Sequence, residues 1–367
     1  MCICALTMGV ANAQELKMPQ WVNQIKLSGF GIAQYQYNGQ ENAKANSFMI
    51  RMGRISLEGR IFDDWYWKAQ VQFNGNTSTL GSSPRMVDLF VEWQKYSFFK
   101  VKVGQFKNPF FFENPISPLE QGFMSYAQVV TNLAGFNDRA GGHASNGRDI
   151  GLQVQGDFLK NDAGRNLLHY QVGVFNGQGI NVKDVDQQKN VIGGLWVMPI
   201  KGMRLGAFGW TGSYARKGTS ESEGINQTTL RKLQQRRYAF SAEYAKDDWT
   251  VRTEYAHSTG SAFAKSLVNS NDATSKDITL SQNGDRAQGV YALVIAPIVK
   301  NKFHAKVRYD MYQPSKGTEK QRSQYDFGLD YLFNKNVKLS GEYAYIHDRS
   351  LADPNYSMVD FQLSFRF

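Results

Sequence analysis

The stretch Trp65-Tyr-Trp-Lys-Ala-Gln-Val-Gln-Phe73 alternates two kinds of residue without a break. Trp65, Trp67, Ala69, Val71 and Phe73 form one face, and Tyr66, Lys68, Gln70 and Gln72 form the other. A period of two over this length is a half-buried strand, not a helix. The pattern recurs along the chain. Val87, Leu89, Val91 and Trp93 oppose Asp88, Glu92 and Gln94, and Phe303, Ala305, Val307, Tyr309 and Met311 oppose His304, Lys306, Arg308 and Asp310. Tyr325 to Phe333 and Val359 to Phe367 repeat it. About sixteen strands are expected, near residues 25–37, 48–61, 65–75, 85–95, 98–106, 147–157, 166–175, 190–200, 202–215, 235–246, 248–258, 284–298, 302–312, 322–333, 337–347 and 356–367.

The connections between these strands alternate in length. Short ones fall at Asp63-Asp64, Tyr96-Ser97, residues 158–165, Lys201, Asp247-Asp248, Lys300-Asn301 and residues 334–336. Long ones cover residues 38–47, 76–84, 107–146, 176–189, 216–234, 259–283, 313–321 and 348–355. A meander with one tight end and one loose end is the rhythm of an outer-membrane barrel, with short periplasmic turns and long external loops. Trp65, Phe99, Trp249, Phe303, Phe333 and Phe367 flank the short turns on the apolar phase, whereas Tyr35, Tyr37, Phe73, Tyr255, Tyr309 and Tyr345 sit toward the other end. Two such belts suit the two headgroup zones of a bilayer. A bilayer offers no partner to a free backbone group, so the sheet must close. The expected fold is therefore all-β: a transmembrane antiparallel up-and-down β-barrel in the bacterial outer membrane, formed by residues 14–367 as one domain.

Composition agrees. The 367 residues include 24 Phe, 18 Tyr, 7 Trp and 34 Gly but only 9 Pro, the usage of a long twisted sheet. No apolar run reaches the length of a membrane-spanning helix; Val290 to Val299 is too short and contains Pro297. The first thirteen residues form an apolar run ending in Ala11-Asn12-Ala13, the small-residue pattern of a cleaved signal peptide. No basic residue precedes that run, so the precursor is expected to start upstream. Cleavage after Ala13 would remove Cys2 and Cys4 and exclude disulfides and thiolate metal sites from the mature chain.

Enzyme chemistry is not expected. The histidines, His143, His169, His257, His304 and His347, are scattered, and no nucleophile–base motif surrounds any of them. Gly29-Phe-Gly31 lacks the third glycine and the helix of a nucleotide site, and no metal-ligand spacing occurs, so no cofactor is expected. The net charge of +10 is spread along the chain, unlike the concentrated patch of a nucleic-acid binder. A secreted β-rich adhesin or glycan-binding module is the alternative. It would share the strands and the leader, but it has no need of alternating loop lengths or aromatic belts.

Lys102-Val-Gly-Gln-Phe-Lys-Asn-Pro-Phe110 resembles the segment entering the third loop of the phosphate-selective porin O and P family. Arg148 to Gly156 resembles the strand leaving that loop, Tyr170 to Gly179 the following strand, and Pro199 to Gly206 the next tight turn. The resemblance implies a sixteen-stranded homotrimeric porin whose third loop folds into the lumen; it does not imply phosphate as the substrate. The expected function is passive diffusion of small hydrophilic solutes, with anions such as phosphate among the candidates. Outer-membrane lipid and lipopolysaccharide are the expected surroundings.

In a barrel of this size the polar phase of each strand lines water. Pore-lining or constriction candidates are Arg54, Lys68, Lys100, Lys102, Arg252, Lys306 and Arg308, with the anions Asp88 and Glu92. Glu58, Glu243, Glu254, Asp310, Asp326, Asp330, Glu342 and Asp360 share that phase, so the lumen is mixed in sign. The connection from Lys107 to Asn146 is long and rich in Pro and Phe, which argues for an ordered, functional loop. Folded inward, its Lys107, Glu113, Glu120, Asp138 and Arg139 would meet the charged wall; an external flap is the other possibility. Arg231, Lys232, Arg236 and Arg237 suggest a basic cluster on the fifth external loop.

Overall fold

A computed structural model describes residues 22–73, 84–140, 145–220, 223–263, 274–275, 280–281 and 286–367. The expected leader (residues 1–13) and His143 lie outside the described residues. Sixteen long strands follow one another: β1 (Val22–Asn38), β2 (Ala45–Ile61), β3 (Trp65–Phe73), β4 (Arg85–Tyr96), β5 (Phe99–Lys107), β6 (Arg148–Lys160), β7 (Asn166–Phe175) and β8 (Asn190–Val197). Then come β9 (Met203–Ser220), β10 (Ile225–Lys246), β11 (Trp249–Thr259), β12 (Arg286–Val299), β13 (Phe303–Gln313), β14 (Arg322–Asn334), β15 (Val337–Asp348) and β16 (Asn355–Arg366). Each pairs antiparallel with the next. Closure comes from β1 against β16, in register from Phe30↔Arg366 to Asn38↔Met358. No sheet edge is left for lipid to face.

The two faces separate as the alternation requires. Outside, Leu27, Phe48, Ile50, Leu57, Phe240, Phe327 and Phe361 are exposed, Phe48 by 85%. Such a continuous apolar surface is stable only against lipid. Trp65, Phe99, Trp249, Phe333 and Phe367 are exposed beside the short turns, and Tyr37, Phe73, Tyr309 and Tyr345 toward the opposite rim. The short turns use backbone suited to tight hairpins: Phe62 and Asp63 have φ of 48° and 56°, and Asp247 and Asp248 have 54° and 67°. Two successive positive φ values give the turn twist that matches the strands.

Three expectations need correction. The segment 216–234 is not a loop. β9 and β10 extend to Ser220 and from Ile225 as a tall hairpin, far longer than the roughly ten residues a bilayer needs. The basic cluster placed there is split by the strand alternation: Arg237 is buried in the lumen against Asp138, Arg231 pairs with Glu223, and Arg236 faces out. Val87, expected on the lipid face, is fully buried. The register jumps there from Gln70↔Asp88 to Val71↔Met86, and the bulged residue turns off the outer face.

Candidate pore constriction

Residues 108–140 leave β5 and enter the lumen, and residues 145–147 lead into β6. Their apolar side chains explain the inward path. Phe110 meets Trp210 with ring centroids 5.6 Å apart, and Phe112 meets Phe208 at 5.4 Å and Trp196 at 5.6 Å. A short helix, α1 (Gln128–Leu133), buries Val129, Val130 and Leu133 against Ala239, Ala256, Ala287 and Tyr291 on the inner wall. The wall is built to receive it. A Cβ on Gly289 would stand 2.9 Å from the Cβ of Val129, so only glycine leaves the helix room.

The loop's backbone has irregular hydrogen-bonding needs, and wall charges meet them. Glu254 on β11 accepts from the N–H of Phe112 at 2.6 Å, the N–H of Glu113 at 2.9 Å and the Tyr291 hydroxyl at 2.7 Å, and also from Ser241. Glu342 accepts from the Met124 N–H at 2.9 Å, and Asp310 from the first N–H of α1 at 2.9 Å. Cations serve the carbonyls. Lys306 donates to Gly122 at 2.8 Å, Arg308 to Ser125 at 2.7 Å, Lys338 to Leu119 at 3.1 Å and Arg237 to Leu133 at 2.8 Å. Arg237 also grips Asp138 with two bonds of 2.6 and 2.7 Å. At the periplasmic rim Arg366 pairs with Glu120 at 2.9 Å. Burial pushes the Glu113 carboxyl up to about 7, against the opposing pull of Arg252 3.5 Å away. Here the cost of burying a charge exceeds the attraction of its partner.

The candidate residues divide by role. Arg252, Lys306 and Arg308 are loop anchors on β11 and β13, each also bound to wall carboxylates: Glu243, Asp330 and Asp326 respectively. Arg139, on the loop, donates to Gly260 O at 2.8 Å. Across the lumen, Asp88 binds Arg148 at 2.6 Å and Glu92 lies 3.8 Å from Lys102. Lys100 pairs with Asp157 at 3.5 Å. Among the described residues Arg54 donates only to Gln72 Oε1, at 2.9 and 2.7 Å. The Lys107 ammonium lies 4.2 Å from the Phe136 ring centroid and 5.1 Å from that of Tyr126. Lys68 shares this wall, opposite Glu58 on β2.

Sequence alternation misses Arg51. The β1–β2 register passes from Ile32↔Met52 to Ala33↔Ile50, so Arg51 is the unpaired residue of a bulge. Arg51 then points inward like Arg54, and the two are not segregated to opposite faces. The outward residues record the slip, since Phe48 and Ile50 are even-numbered and Ile55 and Leu57 odd. Arg51 lines a cavity of about 690 Å³ between the loop and the walls of β1, β2 and β13–β16, together with Gln34, Tyr126, Asp310, Arg322 and Asp360. A closed barrel with a lipid-facing exterior, a charged interior and a loop folded across it is the anatomy of a channel.

Residues 28–187 match the family described as phosphate-selective porin O and P. That segment is similar to the porin family, and the whole chain has the fold of an outer-membrane channel. Solved structures share its fold at low sequence identity. The anion-selective porin from Comamonas acidovorans is 13% identical, with 94% of this chain and 99% of that chain covered and a TM-score of 0.62. The outer membrane channel DcaP of Acinetobacter baumannii is 11% identical, with 94% and 97% covered and a TM-score of 0.59. The trimer form of OmpT from Vibrio cholerae is 12% identical, with 94% and 99% covered and a TM-score of 0.59. No curated protein matches this sequence.

Proposed function

We propose that this porin lets small hydrophilic solutes diffuse across the outer membrane and favours anions at its constriction. One observation carries the preference. Arg51, Arg54, Lys68 and Lys107, on β2, β3 and β5, have no carboxylate within ion-pair distance among the described residues; the nearby Asp88 is held by Arg148. Most lumen carboxylates are committed to the loop or to paired cations, so the uncommitted field on that wall is positive. The anion selectivity of the Comamonas acidovorans porin, which shares the fold, points the same way. A general diffusion porin is the second reading, favoured by Asp310, Asp326, Glu342, Asp348 and Asp360 lining the cavity.

Family and fold point to a channel rather than an enzyme, and no catalytic residue is assigned. We propose a homotrimer, by analogy with the trimer form of the Vibrio cholerae protein. The apolar exterior, in contact with membrane lipid and lipopolysaccharide, would supply the interface. Residues 1–13 are proposed as the export leader; mass spectrometry of the mature protein should find Gln14 first. The reversal potential under a salt gradient tests the selectivity. The wild type should favour chloride over potassium, and a porin with both Arg51→Glu and Arg54→Glu should shift several-fold toward potassium. An unchanged reversal potential in that double variant would remove the assignment of selectivity to this wall.

A further inference from the structure

Arg51 and Asp360 face the same cavity and do not pair. The guanidinium of Arg51 donates to Gln362 Oε1 at 2.9 Å, and both amide bonds to Asp360, from Gln34 at 2.7 Å and Gln36 at 2.9 Å, fall on Oδ1. Gln362 and Asp360 are two residues apart on β16, so their side chains rise on the same face about 7 Å from each other. Glutamines therefore hold a cation and an anion close together but out of contact. Neither has an ion-pair partner among the described residues, so each is left with unspent capacity toward a ligand. The same cavity also carries apolar groups, with Met49, Met124, Met358 and Tyr126 on its walls. Methionine is soft and fills against varied shapes, which suits a site for side chains of no fixed form.

We infer that this cavity is a binding site for zwitterionic amphipathic solutes, short peptides with an apolar side chain, during their passage. Extended, a dipeptide spans about 7 Å between its ends. Its carboxylate would take the free N–H groups of Arg51, its ammonium the open oxygen of Asp360, and its side chain the methionines. An inorganic anion would use Arg51 and the other lining cations, meet the Asp360 carboxylate beside Arg51, and gain nothing from the methionines. A volume of about 690 Å³ holds a dipeptide with water to spare. The inference rests on the channel reading above and names a solute class for it.

The test is current recording from the folded full-length porin in a planar bilayer with millimolar alanyl-leucine. Brief interruptions of the open current are expected. Capping the peptide's amino end by acetylation, or its carboxyl end as an amide, should shorten the blocked time about tenfold, the loss of one charged hydrogen-bond set. Asp360→Asn should abolish the distinction between free and acetylated peptide, and Arg51→Gln that between free and amidated peptide. The capped ligands keep the test valid if either variant folds poorly. Equal block by all three peptides, block by phosphate alone, or a steady current with every ligand would overturn the inference and leave the channel standing. No conductance at all from folded protein would overturn both.

Discussion

Glu254→Gln is the sharpest probe of how the third loop is held. The substitution keeps the shape and removes the charge from a group 1% exposed. Oε1 accepts from Glu113 N–H and the Tyr291 hydroxyl, and Oε2 from Phe112 N–H and Ser241. If the amide nitrogen replaces Oε2, the Ser241 hydroxyl can turn and accept, but the Phe112 N–H is left facing a donor. An orphaned buried N–H costs about 1–3 kcal/mol, and the remaining bonds weaken as the acceptor loses its charge. The sum is about 3 kcal/mol. It falls on the loop, because the ladders of β10, β11 and β12 are untouched. An equilibrium shift of that size is on the order of a hundredfold toward a released loop. Amide hydrogen exchange of Phe112 and Glu113 should accelerate by that factor while β11 amides stay protected, and single-channel records should gain excursions to a larger conductance. Exchange unchanged at both amides, with a quiet open current, would refute Glu254 as the loop's anchor.

Other residues give further tests. Glu113 is raised from 4.5 to about 7 by burial, so its charged form opposes loop docking. That penalty, about 3 kcal/mol, is present in full above pH 7, fades as pH falls through 7 and is gone below 4.5. Loop amides should exchange more slowly at pH 5 than the chemical rate alone explains, and Glu113→Gln should erase that difference; a variant that keeps it would exclude Glu113 as the titrating group. Gly104→Ala should fail for steric reasons. Gly104 has φ of 132°, and a Cβ would sit 2.2 Å from Leu89 O and 2.7 Å from Phe90 Cα, both backbone atoms of the adjacent strand. A cost above about 3 kcal/mol is expected, read as loss of the compact, heat-modifiable gel band; a normal yield would contradict it.

The barrel was legible because lipid and water impose opposite demands on neighbouring residues. Every one of the sixteen expected strands occurs, usually within a few residues of its expected ends. The leaver from that rule is the β9–β10 hairpin, where Lys217, Thr229, Arg231 and Lys232 read as loop because no bilayer divides their two faces once the strands rise above it. Bulges were the second loss. Arg51 and Val87 each sit where one extra residue reverses the phase, and simple alternation carries the wrong face across. The loop's inward fold left a trace that alternation alone could have exposed. Phe208, Trp210, Ala239, Ala256 and Tyr291 are apolar on the lumen phase, where water would favour polar groups, and all lie beneath the loop. The charge list looked mixed because sequence gives sign without pairing. Only three-dimensional contacts reveal that Glu254, Glu342 and Asp310 are occupied by loop N–H groups while, among the described residues, Arg51 and Arg54 are not paired with acids.

Channel function requires a water-filled path through the barrel. Single-channel conductance of purified, heat-modifiable protein in a planar bilayer measures it directly. Discrete, ohmic steps whose size rises with salt concentration are predicted. A folded barrel that inserts and passes no current would contradict the channel.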